Sequence, residues 1–274
     1  MSLFEAILLG LLQGLTEFLP ISSSAHLRIA GELTAAGDPG AAFTAVIQIG
    51  TEAAVLIYFR KDIFRIAMAW LASFVPGGRP QKSDVRMGWL IILGTLPIAV
   101  LGLLFKDLIE ADLRNLYITA TVLIVFGLLL GVADRIGRKQ RTLDKLSWGH
   151  GLALGFAQAM ALIPGVSRSG GTITAGLLLG YTREAAARYS FLLAVPAVLA
   201  SGFYELYRYW HEFSADMAMP TIVAAVTAFV TGYVVIIGFL KLVSTRSYLV
   251  FVIYRVLLGG AIFALLASGA LSPL

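Results

Sequence analysis

Six apolar stretches, at roughly residues 41–59, 88–105, 116–133, 186–206, 220–240 and 248–267, each approach the length that a helix needs to cross a bilayer. A hydrocarbon core about 30 Å thick takes about 20 apolar residues per crossing. With 274 residues, 58% of them hydrophobic and 14% charged, the chain falls well below the roughly 25% charged residues of an ordinary soluble domain. The sequence therefore predicts an all-α polytopic membrane bundle with six transmembrane helices, forming a single domain over residues 1–274. The absence of cysteine excludes disulfides, thiolate catalysis and cysteine-ligated zinc.

Two further apolar regions, about 2–33 and 148–180, are interrupted by polar turns. These are Leu19-Pro20-Ile21-Ser22-Ser23-Ser24 and Pro164-Gly165-Val166-Ser167-Arg168-Ser169-Gly170-Gly171. Proline disfavours helix in the residue before it, and irregular backbone in lipid is tolerated only inside protein or beside a water-filled cavity. Both regions are therefore expected to be re-entrant helix pairs. The run Ser22-Ser23-Ser24-Ala25 resembles a signal-peptidase site, but the preceding segment carries Glu5, Gln13 and Glu17 and no Lys or Arg, so it is expected to stay in the mature protein.

A shift of 145 residues aligns Gly10 with Gly155, Gln13 with Gln158, Ser22 with Ser167, Ser24 with Ser169 and Gly31 with Gly176. Each half then places one broken segment before three apolar spans, giving repeat 1 at about 1–134 and repeat 2 at about 148–270. Most of the 21 basic residues fall in the segments 60–87 and 134–147 and in the short loops holding Arg183, Arg188, Lys241 and Arg246. The opposite loops hold Arg28, Lys106, Arg114 and Arg208 among the acids Asp38, Asp107, Glu110, Asp112, Glu205, Glu212 and Asp216. The positive-inside rule makes the first set cytoplasmic and puts both termini outside. The two hairpins then enter from opposite sides, which defines an inverted-topology repeat whose broken elements meet near the midplane. The net charge of +5 is thus an orientation signal, and no nucleic-acid partner is expected. Trp148, Tyr207, Tyr209 and Trp210 fit an interfacial belt.

The turns carry the candidate chemistry. Gln13 and Glu17 share one helix face, and a charged side chain at membrane depth costs a few kcal/mol and is usually functional. Behind Pro20, Ser22, Ser23, Ser24 and His26 open a second helix, whose free N–H groups favour phosphate. In the other turn, Gly165 permits close backbone approach, Ser167, Ser169 and Thr172 supply hydroxyls, and Arg168 can fork across two phosphate oxygens. Arg168 could equally be a structural partner of Glu17, and the serines simple caps. A phosphate beside Glu17 needs a cation between them, for which Mg2+ or another divalent cation such as Ca2+ is suited, with Gln13 as a second ligand. Glu52 and Arg255 also interrupt crossings and read as structural, with a snorkelling role open to Arg255. Pro97 and Pro196 are expected to kink their helices.

Taken together, Gln13-Gly14-Leu15-Thr16-Glu17-Phe18-Leu19-Pro20-Ile21-Ser22-Ser23-Ser24-Ala25-His26 and Pro164-Gly165-Val166-Ser167-Arg168-Ser169-Gly170-Gly171-Thr172 closely resemble the two signature motifs of the bacterial undecaprenyl-pyrophosphate phosphatases, the bacitracin-resistance proteins. The resemblance spans the chain in length, span order and repeat. It implies metal-dependent dephosphorylation of undecaprenyl pyrophosphate, a lipid substrate, at the outer face of the plasma membrane. In its terms Glu17 holds the metal with Gln13, Arg168 binds the diphosphate, and Ser167, Ser169 and Thr172 line its cradle. Glutamine at position 13 removes one carboxylate that the family otherwise allows. Ser23 is the expected nucleophile, with His26 one turn away as base or proton shuttle; attack by His26 or by water stays open. Membrane lipids are the expected surroundings, and homo-oligomerisation is left open. A transporter or flippase of an anionic polyprenyl lipid is the alternative from another class, because inverted repeats with broken helices are common in transporters. An ion channel is disfavoured for want of a charge ring or carbonyl filter.

Overall fold

Backbone in hydrocarbon must satisfy its own hydrogen bonds, which leaves helices as the natural element for these apolar runs. The computed structural model describes residues 1–33, 40–111, 113, 115–209, 211 and 215–273. These form α1 (Leu3–Thr16), α2 (Ser23–Leu33), α3 (Ala41–Tyr58), α4 (Arg60–Ala72), α5 (Lys82–Leu104), α6 (Lys106–Ala111), α7 (Leu116–Ile136), α8 (Trp148–Ala159), α9 (Arg168–Leu178), α10 (Arg183–Tyr209), α11 (Ala215–Thr245) and α12 (Leu249–Ala267). Among the described residues the only β-type pairing is an isolated bridge between Arg141 and Tyr181. Asp38, Asp112, Arg114, Trp210 and Glu212, assigned above to outer loops or the interface, lie outside the described residues.

The six predicted stretches fall on α3, α5, α7, α10, α11 and α12. Five of these are long and apolar enough to cross a membrane unaided; α3 qualifies jointly with α4, from which it is bent by 80°. The segment 60–87, expected as a loop, instead contains α4 and the start of α5. The α4 helix exposes Phe64, Met68 and Leu71, which recur at i, i+4 and i+7, while Arg60, Lys61 and Arg65 gather in its first two turns. Such a helix suits the plane of the membrane interface. Asp62 holds it to the bundle by accepting from Arg188 of α10 (2.8 Å), and within α4 it also accepts from Arg65 (3.1 Å). At the same end Asp134 of α7 accepts from Arg183 Nε (2.6 Å) and Nη2 (3.1 Å) and from the Tyr248 backbone N–H (3.0 Å), joining α7, α10 and the start of α12.

The two interrupted regions break where the sequence predicts. The longest of their four helices, α1, has 14 residues and so rises roughly 21 Å, short of a hydrocarbon core of about 30 Å. Packing is crosswise: α1 lies against α11, α8 against α5, α10 against α3 and α12 against α7. The close approaches occur at glycines matched by the 145-residue shift. A Cβ on Gly10 would sit 2.4 Å from the Ala224 carbonyl oxygen of α11, and one on Gly155 would sit 2.5 Å from that of Gly94 in α5. Pro97 and Pro196 lie inside α5 and α10; Pro97 lines an apolar groove of about 600 Å3 between α5 and α8.

Candidate active site

Each broken region turns on a serine in the left-handed region of backbone space. Ser22 and Ser167 both have φ of 70°, a conformation that is uncommon for residues other than glycine, asparagine and aspartate and that persists where surrounding structure enforces it. The next turn of helix follows at once: His26 N–H donates to Ser22 O, and Gly171 N–H to Ser167 O. The hydroxyls repeat the match, with Ser22 Oγ 3.1 Å from Ser24 Oγ and Ser167 Oγ 3.1 Å from Ser169 Oγ. Ser167 Oγ also caps α9 by accepting from Gly170 N–H (3.1 Å), and Ser169 Oγ donates to Leu19 O of the first turn (3.1 Å).

The turns meet on Glu17. Its Oε1 accepts from Arg168 Nη2 in a close ion pair, while Oε2 accepts from Gln13 Nε2 (2.9 Å) and from Ser23 Oγ (2.7 Å). The Glu17 side chain is only 6% exposed. A charge at the centre of a membrane helix costs about 3 kcal/mol on insertion scales. Hydrogen bonds to charged groups contribute about 1.5–3 kcal/mol each, so three of them offset that cost. Arg168 is thus a partner of Glu17, and it lines the same cleft.

His26 has both ring nitrogens engaged: Nδ1–H donates to Ser22 O (2.7 Å), and Nε2 accepts from Tyr254 Oη (2.6 Å), with the rings stacked at 4°. Ser23 is therefore hydrogen-bonded to Glu17, whereas His26 braces the strained Ser22 turn. Ser24 is exposed beside it. Thr172 is buried and donates to Arg168 O (3.0 Å). Gly165 has φ of 97°, and a Cβ there would stand 2.6 Å from Thr119 O. The cleft between the turns is lined by Glu17, Glu52, Arg168, Ser169, Ser190 and Phe191 and has room for about one water, about 10 Å3.

The strongest tie is one that side-chain pattern could not reveal. Arg255 of α12, fully buried, donates from Nε to Leu123 O (3.0 Å), from Nη1 to Pro20 O and Val166 O (3.0 Å each) and from Nη2 to Gly165 O (2.7 Å). Its structural role holds, and the snorkelling option falls because its guanidinium points into protein. Thr51, Ser190 and Tyr254 also escaped the sequence reading; only their placement in apolar spans could have flagged them.

The sequence pattern of the family described as bacitracin resistance protein BacA matches residues 6–261. The chain belongs to the BacA family. It is 64% identical to undecaprenyl-diphosphatase 2 of Agrobacterium fabrum over 273 residues, covering 99% of this chain and 98% of that protein. Identity to the undecaprenyl-diphosphatase of Pseudarthrobacter chlorophenolicus is 62% over 276 residues, covering 99% and 100%. Identity to that of Micrococcus luteus is 60% over 277 residues, again covering 99% and 100%. Family membership and the apolar helices together make the chain a multi-pass membrane protein.

The BacA resemblance implies a divalent cation, and the donor set here fits one of the Mg2+ type. Among the described residues no cluster of three or more His, Cys, Asp or Glu forms a complete protein cage. Mg2+ instead typically uses one or two carboxylates plus substrate phosphates and keeps its waters. The carboxylate of Glu17 offers about four lone-pair positions, three of them taken by Arg168, Gln13 and Ser23. Gln13 Oε1 is buried with no hydrogen-bond partner, an orphaned acceptor of the kind a cation or its water shell satisfies.

Loss of the Arg255 guanidinium strips the donor from three buried turn carbonyls, those of Pro20, Gly165 and Val166, each costing about 1–3 kcal/mol when unsatisfied. Arg255→Met should destabilise the detergent-purified protein by at least about 3 kcal/mol, read as a large fall in melting temperature, with Arg255→Lys recovering only part. A melting temperature equal to wild type in Arg255→Met would contradict the assigned role.

Proposed function

We propose that this chain is an integral membrane phosphatase that hydrolyses undecaprenyl pyrophosphate to undecaprenyl phosphate and inorganic phosphate. The observation that carries the reading is the junction in which Glu17 accepts at once from Ser23 and from Arg168. A hydroxyl, a carboxylate and a guanidinium drawn from two separate turns converge on one cleft, the chemistry that phosphoryl transfer uses. The names carried by relatives more than 60% identical over nearly the whole chain supply the substrate.

In this mechanism the diphosphate enters between the turns and displaces Arg168 from Glu17, since the cleft as it stands is too small for it. Arg168 then forks across phosphate oxygens, with the N-terminus of α9 and the hydroxyls of Ser167 and Ser169 beside it. Ser23 Oγ attacks the terminal phosphorus as its proton passes to Glu17 Oε2, the atom it already faces at 2.7 Å. The bond between phosphorus and the bridging oxygen breaks, and undecaprenyl phosphate leaves with the electron pair. Water then attacks the phosphoserine, inorganic phosphate departs, and the serine oxygen recovers its proton from Glu17. His26 positions the turn through Ser22 O and Tyr254. A divalent cation held by Glu17 and Gln13 would neutralise phosphate charge.

The broken regions act in this reading as re-entrant pairs of an inverted-topology repeat. Supporting it are the paired φ values of Ser22 and Ser167, the paired serine contacts, and the crosswise seating of Gly10 and Gly155. Charge asymmetry supports termini outside and a cleft opening to the outer face of the plasma membrane. A flippase for the same lipid remains the second reading, favoured by the repeat, and phosphate release separates the two.

Purified protein should release phosphate from undecaprenyl pyrophosphate and stop when the divalent cation is chelated. Ser23→Ala and Arg168→Ala should each lower turnover at least about a hundredfold. No phosphate release by the wild-type chain would refute the phosphatase reading, and near-normal turnover in Ser23→Ala would remove serine as nucleophile. Because the chain has no cysteine, topology is open to single-cysteine labelling in intact cells. An impermeant maleimide should modify Ser268→Cys and leave Ser83→Cys untouched; the reverse pattern would invert the orientation.

A further inference from the structure

Glu52 of α3 is 1% exposed, lines the cleft with Glu17 and Arg168, and has a buried Oε1 with no hydrogen-bond partner. A carboxylate retained for structure at this depth is expected to be paired, as Glu17 and Asp134 are, because an unsatisfied buried acceptor adds about 1–3 kcal/mol to the cost of burial. Among the described residues Glu52 has no salt-bridge partner. Its neighbour Thr51 receives Gln13 Nε2 at 3.5 Å, and Gln13 holds the second orphaned oxygen. Two unpartnered oxygens thus belong to side chains around Glu17: Gln13 of α1 is hydrogen-bonded to it, and Glu52 of α3 lines the same cleft.

We propose that Glu52 is the second carboxylate of a divalent-cation site that it shares with Glu17 and the carbonyl oxygen of Gln13. In such a site α3 supplies the second acid, where α1 offers the neutral amide of Gln13 beside Glu17. The inference rests on the phosphatase reading above and deepens it by assigning a residue to the cation.

The test is Mn2+ binding to the full-length protein in detergent, followed by loss of the free-ion electron paramagnetic resonance signal, with methylenediphosphonate present as an uncleavable diphosphate. Wild type should bind Mn2+, and Glu52→Gln should weaken binding at least about tenfold with the melting temperature held. The double variant Gln13→Glu/Glu52→Gln, which returns the charge to the same cleft from α1, should recover most of the loss. Equal Mn2+ affinity in wild type and Glu52→Gln, or no uptake by wild type, would overturn the assignment. So would a loss in both variants accompanied by a fall in melting temperature, which would mark Glu52 as structural. Absence of phosphate release by wild type would instead remove the phosphatase reading, whatever the Mn2+ result.

Discussion

A guanidinium without water around it must be given acceptors, and irregular backbone without water must be given donors; in this fold one side chain meets both demands. Arg255 reaches from α12 to Pro20 in the first turn, to Gly165 and Val166 in the second and to Leu123 in α7. Four hydrogen bonds to a charged donor, at about 1.5–3 kcal/mol each, outweigh an insertion cost of about 3 kcal/mol. Carbonyls that would otherwise break the membrane rule become the reason that two distant segments of chain sit together.

The chemistry depends on that clamp. With the turns held, Ser169 can reach Leu19 O, and Arg168 can reach Glu17. Glu17 is then at once a residue of the first turn, the acceptor for Ser23, and the counter-ion of the second turn. The cleft is tight enough to exclude all but about one water (about 10 Å3), which strengthens each electrostatic contact inside it. In the proposed reaction, binding of a diphosphate trades the Arg168 to Glu17 pair for an Arg168 to phosphate pair, a substitution of one anion for another that leaves the guanidinium satisfied throughout.

Much of this was legible in the sequence because much of it is local. Apolar runs of crossing length located α3, α5, α7, α10, α11 and α12, and polar residues beside Pro20 and Pro164 marked the two turns. The 145-residue shift picked out Ser22 and Ser167, which share a positive φ of 70° that no propensity scale would assign to serine. What escaped was non-local or ambiguous. The helix α4 was read as loop because an interfacial helix has no long apolar run and its basic residues look like a cytoplasmic connection. The partners of Arg255 are backbone carbonyls, which side-chain identities do not encode. Ser23 and His26 share a helix face, yet Ser23 is drawn to Glu17 and His26 to Tyr254, a choice made by the turn and by a helix more than two hundred residues away.

The meeting of the two turns can be measured directly, since any cysteine introduced into this chain is the only one of its kind. Leu19→Cys and Ser169→Cys, placed where Ser169 Oγ lies 3.1 Å from Leu19 O, can be joined by a short bis-maleimide in detergent. A protease site inserted in the 138–142 loop then separates the two halves. Convergent turns require the halves to stay covalently linked after cleavage in the double-cysteine protein and to part in either single variant. Halves that separate in all three, although each cysteine reacts with a monofunctional maleimide, would contradict the shared site on which the chemistry is built.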